Sequence, residues 1–324
     1  DMYAGRLRNQ VSFMLSACNF YMPIFEEALD AYGLPLELRY LPIIESALNP
    51  SAVSRAGASG LWQFMIGTGK IYGLESNSLV DERRDPIKAT WAAARYLKEM
   101  YDIYGDWNLV IAAYNCGPGT INKAIRRANG ETDYWKIYNY LPKETRGYVP
   151  AFIAANYVMT YYCDHNICPM ETNIPASTDT VQVNKNLHFE QIADLCNVPL
   201  DQIKSLNPQY KKQMIPGDSK PYTLRLPIDA ISTFIDKQDT IYAHRADELF
   251  RNRKTVAIKE ITPSTRKTTT AVAGKGKLTY YTIKSGDTLS TIAGKYGVTI
   301  KDIQRWNGMS NTKIAAGKRL KIYK

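Results

Sequence analysis

The spacing of apolar positions divides the chain into two regimes. From residue 1 to about 160, apolar side chains recur every three or four positions, the period of helices with one buried face. Leu38, Leu41, Ile44 and Leu48 keep this spacing. Asp85-Pro86 has the form of an N-cap followed by proline at the first helical position. Ile87, Trp91, Ala94, Leu97 and Tyr101 then predict the apolar face of the helix that follows. Trp107, Val110, Ile111 and Tyr114 predict a shorter helix, and Tyr148 to Tyr161 another. Gly57–Gly60, Gly67-Thr68-Gly69 and Gly117-Pro118-Gly119 break the pattern, as loops between helices do. The expectation is an all-α domain over residues 1–172.

Beyond it the chain repeats itself. Residues 188–208 and 288–308 align at a constant offset of one hundred: Ile192-Ala193 with Ile292-Ala293, Val198 with Val298, Ile203 with Ile303, Asn207 with Asn307, and further on Gly217 with Gly317. Each copy reads as two short helices, a glycine turn and an alternating strand, Leu224–Leu226 in the first and Leu320–Ile322 in the second. The second copy also opens on an alternating strand, Tyr280-Tyr281-Thr282-Ile283. A βααβ unit of about 45 residues has little core, which suits a binding module better than an enzyme. Residues 173–180 and 255–277 are polar and read as linkers. The organisation expected is multidomain: the helical domain over 1–172, a first small α+β domain over 181–228, a connecting segment and linker over 229–277, and a second small α+β domain over 278–324.

Charge sharpens this division. The chain of 324 residues carries a formal net charge of +10, but residues 274–324 hold eleven Lys/Arg against two Asp/Glu. The basic character therefore belongs to the C-terminal end, where it suits a polyanionic partner. No nucleic-acid motif accompanies it, so a carboxylate-bearing polymer is favoured and nucleic acid is not expected. No apolar run reaches the roughly 20 residues needed to span a bilayer. The chain opens on Asp1, as a mature or trimmed form would, so membrane anchoring through a removed N-terminal signal is part of the expectation. Five cysteines leave at least one thiol unpaired; Cys163 and Cys168 are near enough in sequence for a small disulfide in an oxidising compartment. Their spacing, with His165 between them, matches no standard zinc pattern, and no metal is expected.

The candidate chemistry lies at Glu45, in the apolar stretch Tyr40-Leu41-Pro42-Ile43-Ile44-Glu45. A carboxyl among such neighbours is desolvated, which raises its pKa and keeps it protonated near neutral pH, the state a general acid needs. Taken alone, such a glutamate is more often a solvated helix-end residue. Its surroundings decide otherwise. Residues 45–65 read Glu-Ser-x-x-Asn-Pro-x-Ala-x-Ser-x-x-Gly-Ala-x-Gly-Leu-Trp-Gln-Phe-Met, followed by Ala113-Tyr114-Asn115-x-Gly117 and Arg146-Gly147-Tyr148-Val149-Pro150.

These motifs, in this order, resemble the lysozyme-like soluble lytic transglycosylases, over roughly residues 20–160. With Trp62 where the family more often has Met, the chain is similar to the membrane-bound lytic murein transglycosylase D group. The resemblance implies a lysozyme-like catalytic domain with Glu45 as catalytic acid and base, no cofactor, and cleavage of peptidoglycan between N-acetylmuramic acid and N-acetylglucosamine. The bond opens without water, leaving a 1,6-anhydro sugar. It implies that Ser46, Ser54, Gln63, Met65, Tyr114, Asn115 and Tyr148 line the sugar cleft or surround the carboxyl. Two other readings stand beside it: a hydrolytic muramidase on the same fold, which would want a second carboxylate (Glu75, Asp81 and Glu82 are nearby in sequence), and a non-catalytic wall-binding scaffold. Cys116, inside the Ala-Tyr-Asn motif, has no histidine near it and reads as a packing residue. The copy at 278–324 resembles a LysM domain, which implies glycan binding through Gly286, Asp287, Thr288 and Leu289. The copy at 182–226 lacks the Ser-Gly-Asp-Thr stretch, with His188 and Phe189 where Thr288 and Leu289 stand, and resembles a degenerate LysM. Peptidoglycan strands are the partner implied, a monomer the expected state, and a bacterial cell envelope, periplasmic or outer-membrane associated, the expected location.

Overall fold

The computed structural model describes residues 2–172, 174–175, 177–250, 278–284, 287–309, 314–315 and 317–323. The expected linker at 255–277 and Gly286 lie outside the described residues. The chain forms two compact units, divided near residue 261.

The first unit begins with a helical body. Helices α1 (Arg8–Ala31), α4 (Pro86–Tyr104), α5 (Trp107–Cys116) and α8 (Lys143–Thr160) pack in the order α1–α4–α5–α8, and four shorter helices, α2 (Leu41–Ser46), α3 (Ile66–Ile71), α6 (Pro118–Arg127) and α7 (Tyr134–Ile137), close the gaps. Asp85 caps α4 as its sequence predicts, its Oδ1 accepting from the amides of Ile87 and Lys88 at 2.9 and 3.0 Å. The buried face of α4 is shifted from the expected one. Ala89, Thr90, Ala92, Ala93, Ala94, Leu97 and Met100 are buried, whereas Ile87 and Trp91 are exposed. Small residues win the inner face because α1 and α5 approach closely on both sides, and the larger side chains are left to the rim. The Leu38–Leu48 periodicity does not give one helix either. A 3-10 turn over Leu36–Tyr40 leads into α2, and Ala47 and Leu48 follow in the left-handed region (φ 51° and 58°). Trp62 sits at the centre of this body, wholly buried, edge-on to Phe25, with its indole N–H donating to Thr90 Oγ1 at 2.9 Å.

The same unit continues into the first repeat. Strand β1 (Thr178–Val183) pairs antiparallel with β4 (Tyr222–Pro227), and β2 (Asn186–His188) with β3 (Met214–Pro216). Between them lie α9 (Phe189–Cys196) and α10 (Leu200–Leu206). Helices α11 (Ile228–Asp236), α12 (Gln238–Ala243) and α13 (Ala246–Leu249) occupy the stretch expected as a connecting segment. Ala230, Phe234 and Ile241 are buried in one cluster with Ile192, Ile203 and Leu224.

The second unit is the second repeat. Strand β5 (Leu278–Thr282) pairs antiparallel with β6 (Arg319–Tyr323), with α14 (Leu289–Tyr296) and α15 (Ile300–Asn307) between them over a core of Leu289, Ile292, Ile303, Trp306, Leu320 and Ile322. The internal repeat extends to individual hydrogen bonds. Asn207 Nδ2 donates to the carbonyls of Ile203 and Arg225 while its Oδ1 accepts from the Arg225 amide. Asn307 makes the same three bonds with Ile303 and Lys321. His188 and Thr288 are equivalent N-caps, each in a capping box, with Gln191 and Thr291 respectively. Asn207→Ala removes all three side-chain bonds from a buried place and is expected to destabilise the first repeat by about 1–3 kcal/mol. Denaturant unfolding of the full chain would measure this.

Among the described residues no helix is long and apolar enough to cross a membrane.

Candidate active site

Glu45 owes its position to a short, abruptly ended helix. Leu41 and Ile43 anchor α2 in the core, and the left-handed pair Ala47-Leu48 turns the chain away one residue after Ser46. Consecutive left-handed non-glycine residues are strained, and strain of this kind gathers at functional sites. Buried Leu48 holds the turn in place.

A cavity of about 520 Å³ opens beside this turn. Glu45, Ser46, Ser54 and Gln63 all line it, so the structure brings together four residues that sequence reasoning selected. Glu45 is the one carboxylate among its described lining residues. Tyr148 donates its hydroxyl to Glu45 Oε1. Tyr114 donates to the Trp62 carbonyl at 2.7 Å, close enough to Glu45 to feel its charge. Asn115 is turned to a neighbour, its Oδ1 accepting from Thr145 Oγ1 at 2.9 Å, and Met65 is exposed; neither lines the cavity.

The opposite wall is a hairpin-like loop. Bridges Val53–Ser59 and Ser59–Phe64 fold residues 52–65 back on themselves. Ser46 Oγ donates to the Leu61 carbonyl at 3.0 Å, tying α2 to this loop. Gln63, itself left-handed at φ 48°, donates its amide to the Gly60 carbonyl at 2.9 Å, and Ser54 Oγ accepts from the Ala58 amide at 3.0 Å. Gly60 is required: at φ 88°, a Cβ there would lie 1.7 Å from the Arg83 carbonyl oxygen.

Burial pushes the Glu45 carboxyl up to about 7; the Tyr148 hydroxyl pulls against this, and the negative charge of Glu144 adds to it. Burial, followed by the charge of Glu45, holds the Tyr114 and Tyr148 hydroxyls well above the usual tyrosine range, so both remain neutral donors. The arrangement can therefore deliver a proton from Glu45 near neutral pH and then hold the resulting carboxylate against a hydroxyl donor.

Sequence reasoning missed part of the site. Met2, Tyr3, Leu7, Gln10 and Met14 form one wall of the cavity, and Glu144 bears on the carboxyl. No motif marks them; the segment from 2 to 14 reads only as amphipathic helix. Glu75, Asp81 and Glu82 do not line the cavity. They pair with Lys220, Arg83 and Lys88. Cys116 is half-buried with its thiol pKa raised by burial, which suits packing. Cys163 and Cys168 are exposed and unpaired. In the second repeat Asp287 accepts from the Lys284 amide and the Tyr281 hydroxyl, both at 2.8 Å, Thr288 caps α14, and Leu289 is buried in the core.

Comparison with known proteins gives this arrangement relatives. Residues 22–137 match the model of the transglycosylase SLT domain, 177–243 that of the lytic transglycosylase MltD LysM-like domain, and 281–322 that of the LysM domain. The chain carries a transglycosylase SLT domain. Its helical body is the lysozyme-like SLT domain, and the LysM-type domains follow it. The chain is 33% identical over 296 residues to membrane-bound lytic murein transglycosylase D of Escherichia coli K12, covering 90% of this chain and 60% of that protein. It is 33% identical over 124 residues to the soluble lytic murein transglycosylase of the same organism, covering 36% of this chain and 19% of that one. The chain thus spans 60% of the length of the transglycosylase D relatives it matches. Among solved structures, the 70 kDa soluble lytic transglycosylase Slt70 of Escherichia coli matches at a TM-score of 0.39 and 29% identity, covering 44% of this chain and 24% of that one. Tyr3, Gln10 and Tyr148 lie outside the segment that matches the SLT model.

Proposed function

We propose that the chain is a peptidoglycan lytic transglycosylase that breaks the β-1,4 bond between N-acetylmuramic acid and N-acetylglucosamine without consuming water. The observation that carries this reading is Glu45: the single carboxylate lining its cavity among the described residues, protonated up to about pH 7. Protonated Glu45 gives its proton to the glycosidic oxygen. The substrate's own N-acetyl group steadies the oxocarbenium-like carbon. Glu45, now a carboxylate facing the Tyr148 hydroxyl, takes the proton from the muramic acid 6-hydroxyl, whose oxygen closes onto C1. Ring closure gains from the high effective molarity of a nucleophile on the same sugar. Gln63 and Ser54 supply donors and acceptors to the sugars, and Ser46 and Tyr114 hold the loop that carries Gln63.

Residues 1–172 are assigned to catalysis, and 177–243 and 278–324 to LysM-type modules, the first of them completed by α11 and α12. The modules hold cell-wall glycan, with Asp287, Thr288 and Leu289 shaping the second one's binding loop. A weak glycan binder tethered to a catalytic domain raises the local substrate concentration. Peptidoglycan strands are the partner, and the bacterial cell envelope is the location.

Mass analysis of soluble products from purified peptidoglycan tests the chemistry. Muropeptides lighter by one water than their hydrolytic counterparts are expected; ordinary reducing ends would overturn the reading. A hydrolase would turn to Glu144, whose charge reaches Glu45 although its side chain is exposed and lies outside the cavity lining. Glu144→Gln is expected to preserve turnover and to lower the Glu45 pKa slightly, whereas in a hydrolase it would abolish turnover.

The pH profile follows from the same group. Since Glu45 must enter the reaction protonated, kcat/KM is expected to fall as pH rises through about 7. Tyr148→Phe removes the hydrogen bond that favours the carboxylate, so the fall should move to higher pH while the rate below it drops. A fall that stays in place in Tyr148→Phe would contradict the assignment.

A further inference from the structure

The first LysM-type repeat and the catalytic loop are joined by a continuous set of buried bonds. Loop residues Leu79 and Val80, from the helical body, are buried in the core of the repeat with Val183, Tyr210 and Tyr222. The backbone there behaves as an added strand: Val80 bridges Tyr210, the Asp81 amide donates to the Gln209 carbonyl at 2.9 Å, and the Lys211 amide donates to the Leu79 carbonyl at 2.8 Å. Lys211 Nζ also donates to the Asn77 carbonyl at 2.6 Å, and the Tyr222 hydroxyl to Glu75 at 3.0 Å.

From this seam one side-chain pair leads to the active site. Asp81 and Arg83 are buried, and the Arg83 Nε and Nη2 atoms donate to the two Asp81 oxygens at 2.9 and 2.8 Å. The remaining arm of the fork, Nη1, donates to the carbonyls of Gly57 and Phe64 at 2.8 and 2.9 Å. These two residues are the ends of the loop segment that carries Gly60, Trp62 and Gln63. The Arg83 carbonyl occupies the space that a side chain at residue 60 would need. A planar guanidinium satisfies a carboxylate and two carbonyls at once; an ammonium has no such fixed fork.

We infer that the 177–243 repeat serves as a built-in brace for the catalytic cleft, with Asp81 and Arg83 as positioning residues that pass its docking on to loop 57–64. The inference rests on the transglycosylase reading for the meaning of the loop, and not for the brace itself. In this role the repeat holds the catalytic domain's own 75–81 loop, and through it sets how sugars are bound, without touching Glu45.

The test uses the full chain with Arg83→Lys, Leu79→Ala and Tyr222→Phe. The last loosens the same docking without opening a core void. On soluble glycan strands, Arg83→Lys is expected to raise KM roughly tenfold or more, as misplaced positioning groups do. The pH at which kcat/KM falls should stay where it is in the wild type, because neither Glu45 nor Tyr148 is touched. Hydrogen exchange of amides 57–64 should quicken in all three variants, least in Tyr222→Phe. A purely structural role would instead lower kcat with the folded fraction and leave KM alone, and that result would overturn the inference. Unchanged exchange at 57–64 in both Leu79→Ala and Tyr222→Phe would also overturn it. If the wild type turns over no glycan, it is the transglycosylase reading that fails, and the exchange measurement still decides the brace.

Discussion

Glu45→Gln is expected to lower turnover of peptidoglycan by about three orders of magnitude while leaving the protein folded and, above neutral pH, more stable than the wild type. A positioned general acid–base group contributes about 10²–10⁴-fold, and in the proposed reaction one carboxyl acts in both proton transfers. The amide fills the same space and still accepts the Tyr148 hydroxyl, but it has no proton to give at any working pH. The stability effect follows from the direction of the pKa change. The Glu45 carboxyl ordinarily titrates near 4.5 and in the fold near 7. Between those values the folded state holds a proton that the unfolded chain has released, so stability declines as pH rises through this window and is lowest above 7. Glutamine removes that penalty. For a half-buried group the gain at pH 8 should be about 1–2 kcal/mol after solvent screening, and near zero at pH 4. Thermal melts of both proteins at the two pH values measure it. A mutant less stable than the wild type at pH 8 would mean that Glu45 is not desolvated.

Trp62→Ala carries the largest expected effect on folding, about 3–5 kcal/mol. The side chain is wholly enclosed, packs edge-on against Phe25 at 5.3 Å between ring centres, and donates to Thr90. Alanine leaves a void that α1 and α4 cannot both close, since each is fixed by its other neighbours. The damage should reach the site, because the Trp62 carbonyl receives the Tyr114 hydroxyl. Trp62→Phe keeps most of the ring and loses only the hydrogen bond. Thr90 still donates to the Pro86 carbonyl, so a loss of about 1 kcal/mol is expected. Denaturant midpoints of the two variants separate the packing contribution from the polar one.

What the sequence could and could not reveal follows from the range of each interaction. Asp85-Pro86 and the Asn207/Asn307 pair were legible because their partners are local or recur one repeat later. Glu45 was legible because its motif neighbours Ser46, Ser54 and Gln63 are within twenty residues of it and share its cavity. The break after Ser46 was not: the Leu38–Leu48 spacing fits one helix, and only the packing of Leu48 forces the left-handed turn. The face of α4 was misplaced because apolar periodicity ranks large residues first, while close helix packing selects alanines. The wall formed by Tyr3 and Gln10 could not be read at all, since residues far apart in sequence meet there without any shared motif. Arg83 was hidden for a similar reason: a basic residue beside two acidic ones looks like solvated surface until its carbonyl partners at 57 and 64 are known.

The burial of Leu79 and Val80 among residues 183–241 also has a consequence for synthesis. The loop leaves the ribosome about 140 residues ahead of Tyr222, a lag on the order of ten seconds at ordinary elongation rates. During that interval two apolar side chains have no cover, and the active-site loop has its Arg83 clamp without the strand that steadies Asp81. The helical body of the nascent chain therefore forms first with an unfinished cleft, and full sugar affinity should arrive late, when the first repeat closes over the loop. An enzyme built this way would hold its sugars weakly until the chain beyond its catalytic residues had been completed.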